Sequence, residues 1–300
     1  MCGRFTQQRP SVELAALFAA DDRAATPGGR FNLAPQQSGL VVVERPDERR
    51  AIVAWRWGLV PTWAKDTRIG NRLINARAET VATTAAFRGA FQKRRCLVPA
   101  DAFYEWERVA ESIRQPNLIR RADGEPMAFA GLWSPWRDPA EPDGEWLRTF
   151  TIITTTANAT LAPIHDRMPV ILPASEWGAW LDPAAPDPVA LQRLLRPAPD
   201  DLLIRYPVTK RVNSARNEGP DLVVPLGRAR ARARPAPASA RLTGPLRAGV
   251  ALSRLRAPSH PRRWRCGTRR RRRRRDPGPR QDARRAPRTR RPDRPPVPRG

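Results

Sequence analysis

The chain has 300 residues and a formal net charge of +26. Residues 228–300 hold 26 arginines, no lysine and three aspartates, so they carry +23 of that charge and leave residues 1–227 at +3. A lysine-free Arg/Pro/Ala/Gly segment cannot bury enough apolar surface to offset its ordering entropy, which excludes a second packed domain there.

We therefore expect one folded unit over 1–227 and a disordered tail over 228–300. The tail includes the run Arg269 to Arg275 and has two readings. A polycationic arm binds any nucleic acid by neutralising phosphates. An arginine-rich mixture without lysine is also what GC-rich DNA yields when read past or out of its frame, and we favour this second reading. The three cysteines, Cys2, Cys96 and Cys266, show no C-x-x-C spacing. That argues against a zinc cage, a redox dithiol and a disulfide framework, and we expect no metal or other cofactor. Without a signal-peptide pattern or an apolar run of about 18 residues, a soluble cytoplasmic chain is expected.

In chain order, "PSVELAALFAA" predicts a short helix with Ser11 as N-cap and Leu14, Leu17 and Phe18 on one stripe. "GLVVVERPDERRAIVAWRWGLV" predicts a hairpin around a Pro-Asp turn. "LINARAET" reads as extended, followed by a helix through "VATTAAFRGAFQK". Strands fit "RCLVPADAFYEW", "MAFAGLW", "LRTFTIITTT" and "LLIRYPV", with a Pro/Gly/Asp loop before the third of these. "SEWGAWL" and "DPVALQRLLR" read as short helices capped by Ser175 and Asp187. Strands without βαβ regularity predict an α+β fold: a β-rich single domain with a curved, mainly antiparallel sheet and short peripheral helices. Neither glycine-rich nucleotide-binding motif occurs.

The chain opens "MCGRF". Removal of Met1, expected because the next side chain is small, would leave a thiol and an α-amine on adjacent carbons. That amine has a reference pKa of about 7.7–8.0 against about 10.4 for lysine, so a useful fraction is neutral near pH 7. It can condense with an aldehyde to a Schiff base, and the adjacent thiol can then close a five-membered thiazolidine. Arg4 would favour the thiolate and the neutral amine, and can hold an anion. In "RLINARAET", alternation puts Asn75, Arg77 and Glu79 on one face, which suits a phosphate-bearing substrate or is an ordinary polar strand face. In "ADAFYEWER", Glu105 lies among aromatics, as a general acid with a disfavoured charge or as a surface glutamate flanked by core residues. In "APIHDRMPV", His165 is the only histidine outside the tail and stands between Pro163 and Pro169, as an acid/base group or a structural hydrogen-bonding residue. Thr154 to Thr156 and Trp55, Trp57, Trp63 and Trp106 can contact sugar or stack on bases, though most of the tryptophans fit core packing better.

Taken in order, "MCGRF", "FNLAP", "WGLVPTWAKD", "NARAET", "RCLVPADAFYEW", "FAGLW", "IHDRMPVIL" and "VNSARNEGPDL" resemble the SOS-response-associated peptidase family from Met1 to about Pro225. The resemblance implies a β-rich α+β domain with a basic cleft that recognises abasic sites in single-stranded DNA, in the DNA damage response. It implies a stable covalent link through the N-terminal cysteine, here Cys2. It further implies that Asn75 orients the reacting group, Glu105 is the acid/base and His165 assists ring opening or proton transfer, with Arg4, Asn32, Arg77, Thr154 and Arg167 as DNA contacts. Two features depart from the pattern: Ala102 stands where a glycine is expected, and the arginine tail has no counterpart. A monomer that joins the nucleoid when bound to damaged DNA is expected. Two other functions stay open: a thiol peptidase that removes its own Met1, with a lyase activity also conceivable, and a non-enzymatic basic protein that binds nucleic acid through its tail.

Overall fold

The computed structural model describes residues 2–44, 49–184 and 187–227. The expected tail and the Pro-Asp turn lie outside the described residues. In chain order the elements are β1 (Phe5–Gln7), α1 (Ser11–Leu17), β2 (Ala20–Asp22), β3 (Arg30–Leu33), β4 (Ser38–Glu44), β5 (Arg50–Trp57), β6 (Asn75–Arg77) and α2 (Arg88–Lys93). They continue with β7 (Arg95–Ala100), β8 (Ala102–Arg108), β9 (Arg114–Arg121), β10 (Met127–Trp136), β11 (Leu147–Thr156), β12 (Arg167–Pro169), α3 (Trp177–Leu181), α4 (Pro188–Arg193) and β13 (Leu203–Pro207).

The fold is β-rich α+β, as the patterning implies, but its strands form two sheets. One is antiparallel throughout, in the order β13-β9-β8-β1-β3. The other runs β12-β11-β10-β7-β4-β5-β2, and a parallel pairing of β11 with β5 (Phe150 opposite Trp57) curls it into a barrel. The closing pair joins two interior strands, while β2 and β12 stay at the ends of the order. Strand alternation feeds two cores. On β4, Leu40 and Val42 face one apolar cluster, while Val41 and Val43 face the other. The second cluster joins the sheets through Phe5, Trp57, Phe103, Phe129 and Phe150. Phe129 meets Phe103 edge-to-face at 5.8 Å and Phe5 at 6.3 Å.

Two local devices set the path of the chain. "RCLVPADAFYEW" is not one strand, because it turns at Asp101 and passes from the barrel into the other sheet. The Asp101 carboxylate accepts the Gln8 N–H at 2.5 Å and pairs with Arg9 at 2.6 Å, tying the corner to the chain after β1. At the end of β5, Gly58 takes φ +120°, and a Cβ there would lie 2.6 Å from the Gly70 carbonyl oxygen. Only glycine fits this close approach, which sends the chain out and back to lay β6 beside β11 with Asn75 opposite Ile152.

The helices also differ from the sequence reading. Ser11 is not an N-cap but the first residue of α1; its hydroxyl donates to Asp22 and accepts the Thr26 N–H, both at 2.8 Å. Asp187 caps α4 as expected, whereas Ser175 lies inside a short 3-10 turn (Ala174–Glu176) without capping it. The helix expected over 81–93 starts only at Arg88, because Val81, Thr83 and Thr84 are poor helix formers and the segment forms turns on the Thr80 carbonyl. No described helix is long and apolar enough to cross a membrane.

Because Phe129 bridges the two sheets, Phe129→Ala should cost about 3–5 kcal/mol of stability. Urea unfolding should show a lower midpoint at an unchanged m-value; a loss below about 1 kcal/mol would mean that the two sheets do not depend on this contact.

Candidate active site

β1 is the middle strand of a three-strand ribbon, with Phe5 opposite both Leu33 and Phe103. The pairing extends toward the N-terminus, where the Tyr104 N–H donates to the Arg4 carbonyl at 2.9 Å. Residues 2–4 therefore run beside the next part of β8, which carries Glu105. From the barrel, Asn75 donates its side-chain N–H to the Cys2 carbonyl at 2.8 Å. Cys2 is fully buried in the cluster that contains Phe5, Trp57 and Ile152. The two sheets thus converge on the second residue.

Glu105 is 3% exposed, which overturns the surface-glutamate alternative. Burial raises its pKa. Burial also raises the pKa of the Cys2 thiol, with the Glu105 charge as the next cause. This corrects the expectation that Arg4 would favour a thiolate. The Arg4 guanidinium is turned to Asn32 Oδ1 at 2.6 Å and the Val212 carbonyl at 2.9 Å, and desolvation at Cys2 prevails. Asn75 Oδ1 is buried and has no hydrogen-bond partner among the described residues, leaving one acceptor beside Cys2.

His165 sits on the loop 157–166 between β11 and β12, half-buried. Burial lowers its pKa, and the positive charges of Arg167 and Arg114 add to this. In the neutral ring Nδ1 accepts the Arg167 backbone N–H at 2.9 Å, which puts the ring proton on Nε2. Asp166 Oδ1 lies 2.8 Å from the same nitrogen, a favourable partner only for a protonated ring.

The five residues expected to contact DNA fall into two groups. Arg77 is exposed on β6, and Arg167 is half-buried, with two hydrogen bonds to Glu79 at 2.7 and 2.9 Å and one to the Thr154 carbonyl at 2.6 Å. Thr154 and Asn32 are fully buried. The Thr154 hydroxyl turns to the Ala76 carbonyl at 3.4 Å. The Asn32 amide donates to the carbonyls of Ser214 and Asn217 at 2.9 and 2.8 Å. Asn32 thereby ties Arg4 to the segment 209–219, which has the second half of its anchor in Glu218, bonded to Arg30 and the Phe31 N–H at 3.3 and 2.8 Å. Trp106 donates to Asn213 at 2.8 Å on the same segment, and the Arg4 guanidinium lies 6.0 Å from the Trp106 ring centre. The sequence reading gave the residues of this segment no role, although their motif "VNSARNEGPDL" was visible. Among the described residues no cluster of His, Cys, Asp or Glu could hold a metal ion.

A barrel and a second sheet that meet over a buried cysteine at position 2, with the Asn75 amide and the Glu105 carboxyl beside it, define a domain packed around its own amino-terminal segment. The profile described as SOS response associated peptidase (SRAP) matches residues 1–215, and the chain belongs to that family. It is 40% identical over 227 residues to the abasic site processing protein YoqW of Bacillus subtilis, covering 74% of this chain and 99% of that one. It is 32% identical over 233 residues to the abasic site processing protein YedK of Escherichia coli, covering 75% and 100%. A crystal structure of a Bacteroides thetaiotaomicron protein has the same fold, with a TM-score of 0.67 at 24% identity over 75% of this chain and 99% of that one.

The raised pKa of Glu105 has a sign that can be tested. Between the ordinary carboxylate range and the raised value, the native state holds a proton that the unfolded chain has lost. Stability therefore falls as pH rises through that window, and the loss persists above it. Glu105→Gln removes the titration, so chemical unfolding at stepped pH should show the stability difference moving in the variant's favour from the acid range to neutrality. A difference that does not change with pH would mean that Glu105 titrates as an ordinary exposed carboxylate.

Proposed function

We propose that the chain processes abasic sites in single-stranded DNA, forming a covalent thiazolidine through Cys2 once Met1 has been removed. The observation that supports this reading is the convergence of Asn75 and Glu105 on residue 2. The names and the family of its relatives support the substrate. The catalytic unit is residues 1–227, and the arginine tail adds at most sequence-blind phosphate contacts.

An abasic deoxyribose is mainly a cyclic hemiacetal, and ring opening moves a proton from the anomeric hydroxyl to the ring oxygen. His165, neutral with its proton on Nε2, and Glu105, whose neutral form burial favours, are suited to this exchange. The α-amine then attacks the C1′ aldehyde and one amine proton passes to the carbonyl oxygen. Glu105 protonates that hydroxyl as it leaves as water and recovers the second amine proton as the C=N bond forms. The Cys2 thiol, kept protonated by burial, adds across the resulting C=N bond: sulfur bonds carbon and the thiol proton goes to nitrogen. One water is released for each adduct, and no oxidant or reductant is needed. Asn75 holds the Cys2 carbonyl through its N–H and offers Oδ1 to the amine or a sugar hydroxyl. Arg77 and Arg167 meet phosphates, while Asn32 and Thr154 act from behind by fixing Arg4 and Arg167. On this reading a single strand lacking a base approaches the N-terminal segment, and a paired duplex does not.

The test is intact-mass analysis and denaturing electrophoresis after mixing the protein with an abasic single-stranded oligonucleotide. The wild type should give one heat-stable adduct, formed with loss of one water. Cys2→Ala should bind but give no heat-stable adduct, and insertion of alanine between Met1 and Cys2 should do the same, because thiol and amine then no longer share adjacent carbons. A stable adduct at unchanged yield from the insertion variant would overturn the aminothiol mechanism.

Glu105→Gln should slow adduct formation by about 10²–10⁴-fold while binding is retained, read as a single-turnover rate. Removal of residues 228–300 should leave crosslinking intact and weaken non-specific binding. If the shortened protein folds yet loses all DNA binding, the tail accounts for the activity instead.

A further inference from the structure

The loop that carries His165 is held in place from outside the site. Loop 157–166 closes at its base through the Ala157 N–H to the Asp166 carbonyl at 2.9 Å. Its first turn is wound by the N–H groups of Leu161 and Ala162 on the Asn158 carbonyl, and the His165 N–H completes the next turn on the Leu161 carbonyl at 3.0 Å. Leu161 is fully buried in the cluster between the sheets. That leaves the stretch from Ala157 to Thr160 to be fixed by something else.

The fixing groups come from residues 198–200, some 40 positions later. Asp200 Oδ1 accepts the Ala159 N–H at 2.7 Å, and the Asp200 carbonyl accepts the Thr160 hydroxyl at 2.7 Å. Asn158, 6% exposed, donates to the carbonyls of Ala198 and Pro199, both at 3.2 Å, and its Oδ1 accepts the Leu161 N–H at 3.2 Å. Pro197 and Pro199 stiffen the segment that presents these carbonyls.

We propose that Asp200, with Asn158, is a positioning residue for His165: it fixes the loop so that the imidazole stands at one height and angle over the substrate. The inference rests on the reading of His165 given above. Neither residue touches the reacting atoms. Asp200 acts through Ala159 and Thr160, and its exposed side chain can be changed without opening the core. A displacement of a catalytic group by about 1 Å can cost of order a hundredfold in rate, so even partial loosening of the loop is measurable.

The experiment is a double-mutant cycle on the full chain. The rate of stable adduct formation is measured with an abasic single-stranded oligonucleotide, and binding is measured with the unreactive tetrahydrofuran analogue. Asp200→Ala should slow the reaction about tenfold with unchanged binding. Asp200→Asn, which keeps the Oδ1 acceptor, should restore the rate. In a His165→Ala background, Asp200→Ala should produce no further loss. Thr160→Val removes one of the same bonds without altering Asp200, and should slow the reaction in the same His165-dependent manner. If His165→Ala slows the reaction but Asp200→Ala has no effect, or an equal effect in both backgrounds, the positioning role is overturned and the role of His165 stands. If His165→Ala leaves the rate unchanged, the reading of His165 fails and the proposal falls with it.

Discussion

Three residues decide where this chain begins. Phe5–Gln7 are paired on both sides, by β3 and by β8, so the backbone just before them has no freedom of direction. A terminus is ordinarily the most mobile part of a domain. Here it leads into a strand paired on both sides, and the place of Cys2 follows from that constraint. Cys2 is buried because it leads into an interior strand, and Glu105 is beside it because β8 continues the pairing. Asn75 reaches the same point because the barrel packs on the other face.

Burial at that point sets the chemistry as well as the geometry. It holds both the thiol and the carboxyl toward their neutral forms, against the intuition that a cysteine near an arginine is a thiolate. A thiol held neutral fits the proposed order of attack, in which the amine comes first and sulfur second. Arg4 is not lost to function. Its guanidinium holds the segment 209–219 through Val212, and its bond to Asn32 makes a cation close to Cys2 a structural clamp.

Much of the fold was legible from alternation. The β4/β5 hairpin, β10 and β11 are long and apolar, and the alternation in "NARAET" correctly separates buried Ala76 and Ala78 from exposed Arg77 and Glu79. The elements that were not legible are those whose identity comes from their neighbours. β1, β2 and β12 have three residues each, too few for a period. β9 reads Arg-Gln-Pro-Asn-Leu-Ile-Arg-Arg, whose proline and charges argue against a strand until β8 and β13 flank it. The Asp101 corner is invisible because its partners, Gln8 and Arg9, are 92 or more positions away. At the site, motif and chemistry pointed to Cys2, Asn75, Glu105 and His165, while nothing local could say that Asn32 and Thr154 face inward.

The segment 209–219 lies near the end of the described residues, yet it anchors Arg4 near the start of the chain. On the ribosome, residues 2–4 emerge first and wait for that anchor through the synthesis of about two hundred further residues. Until then the first strand can find β3 and β8, but Arg4 lacks its partner in that segment. The contacts that fix Arg4 thus form late in biogenesis, after the strands that flank residues 2–4 have been made.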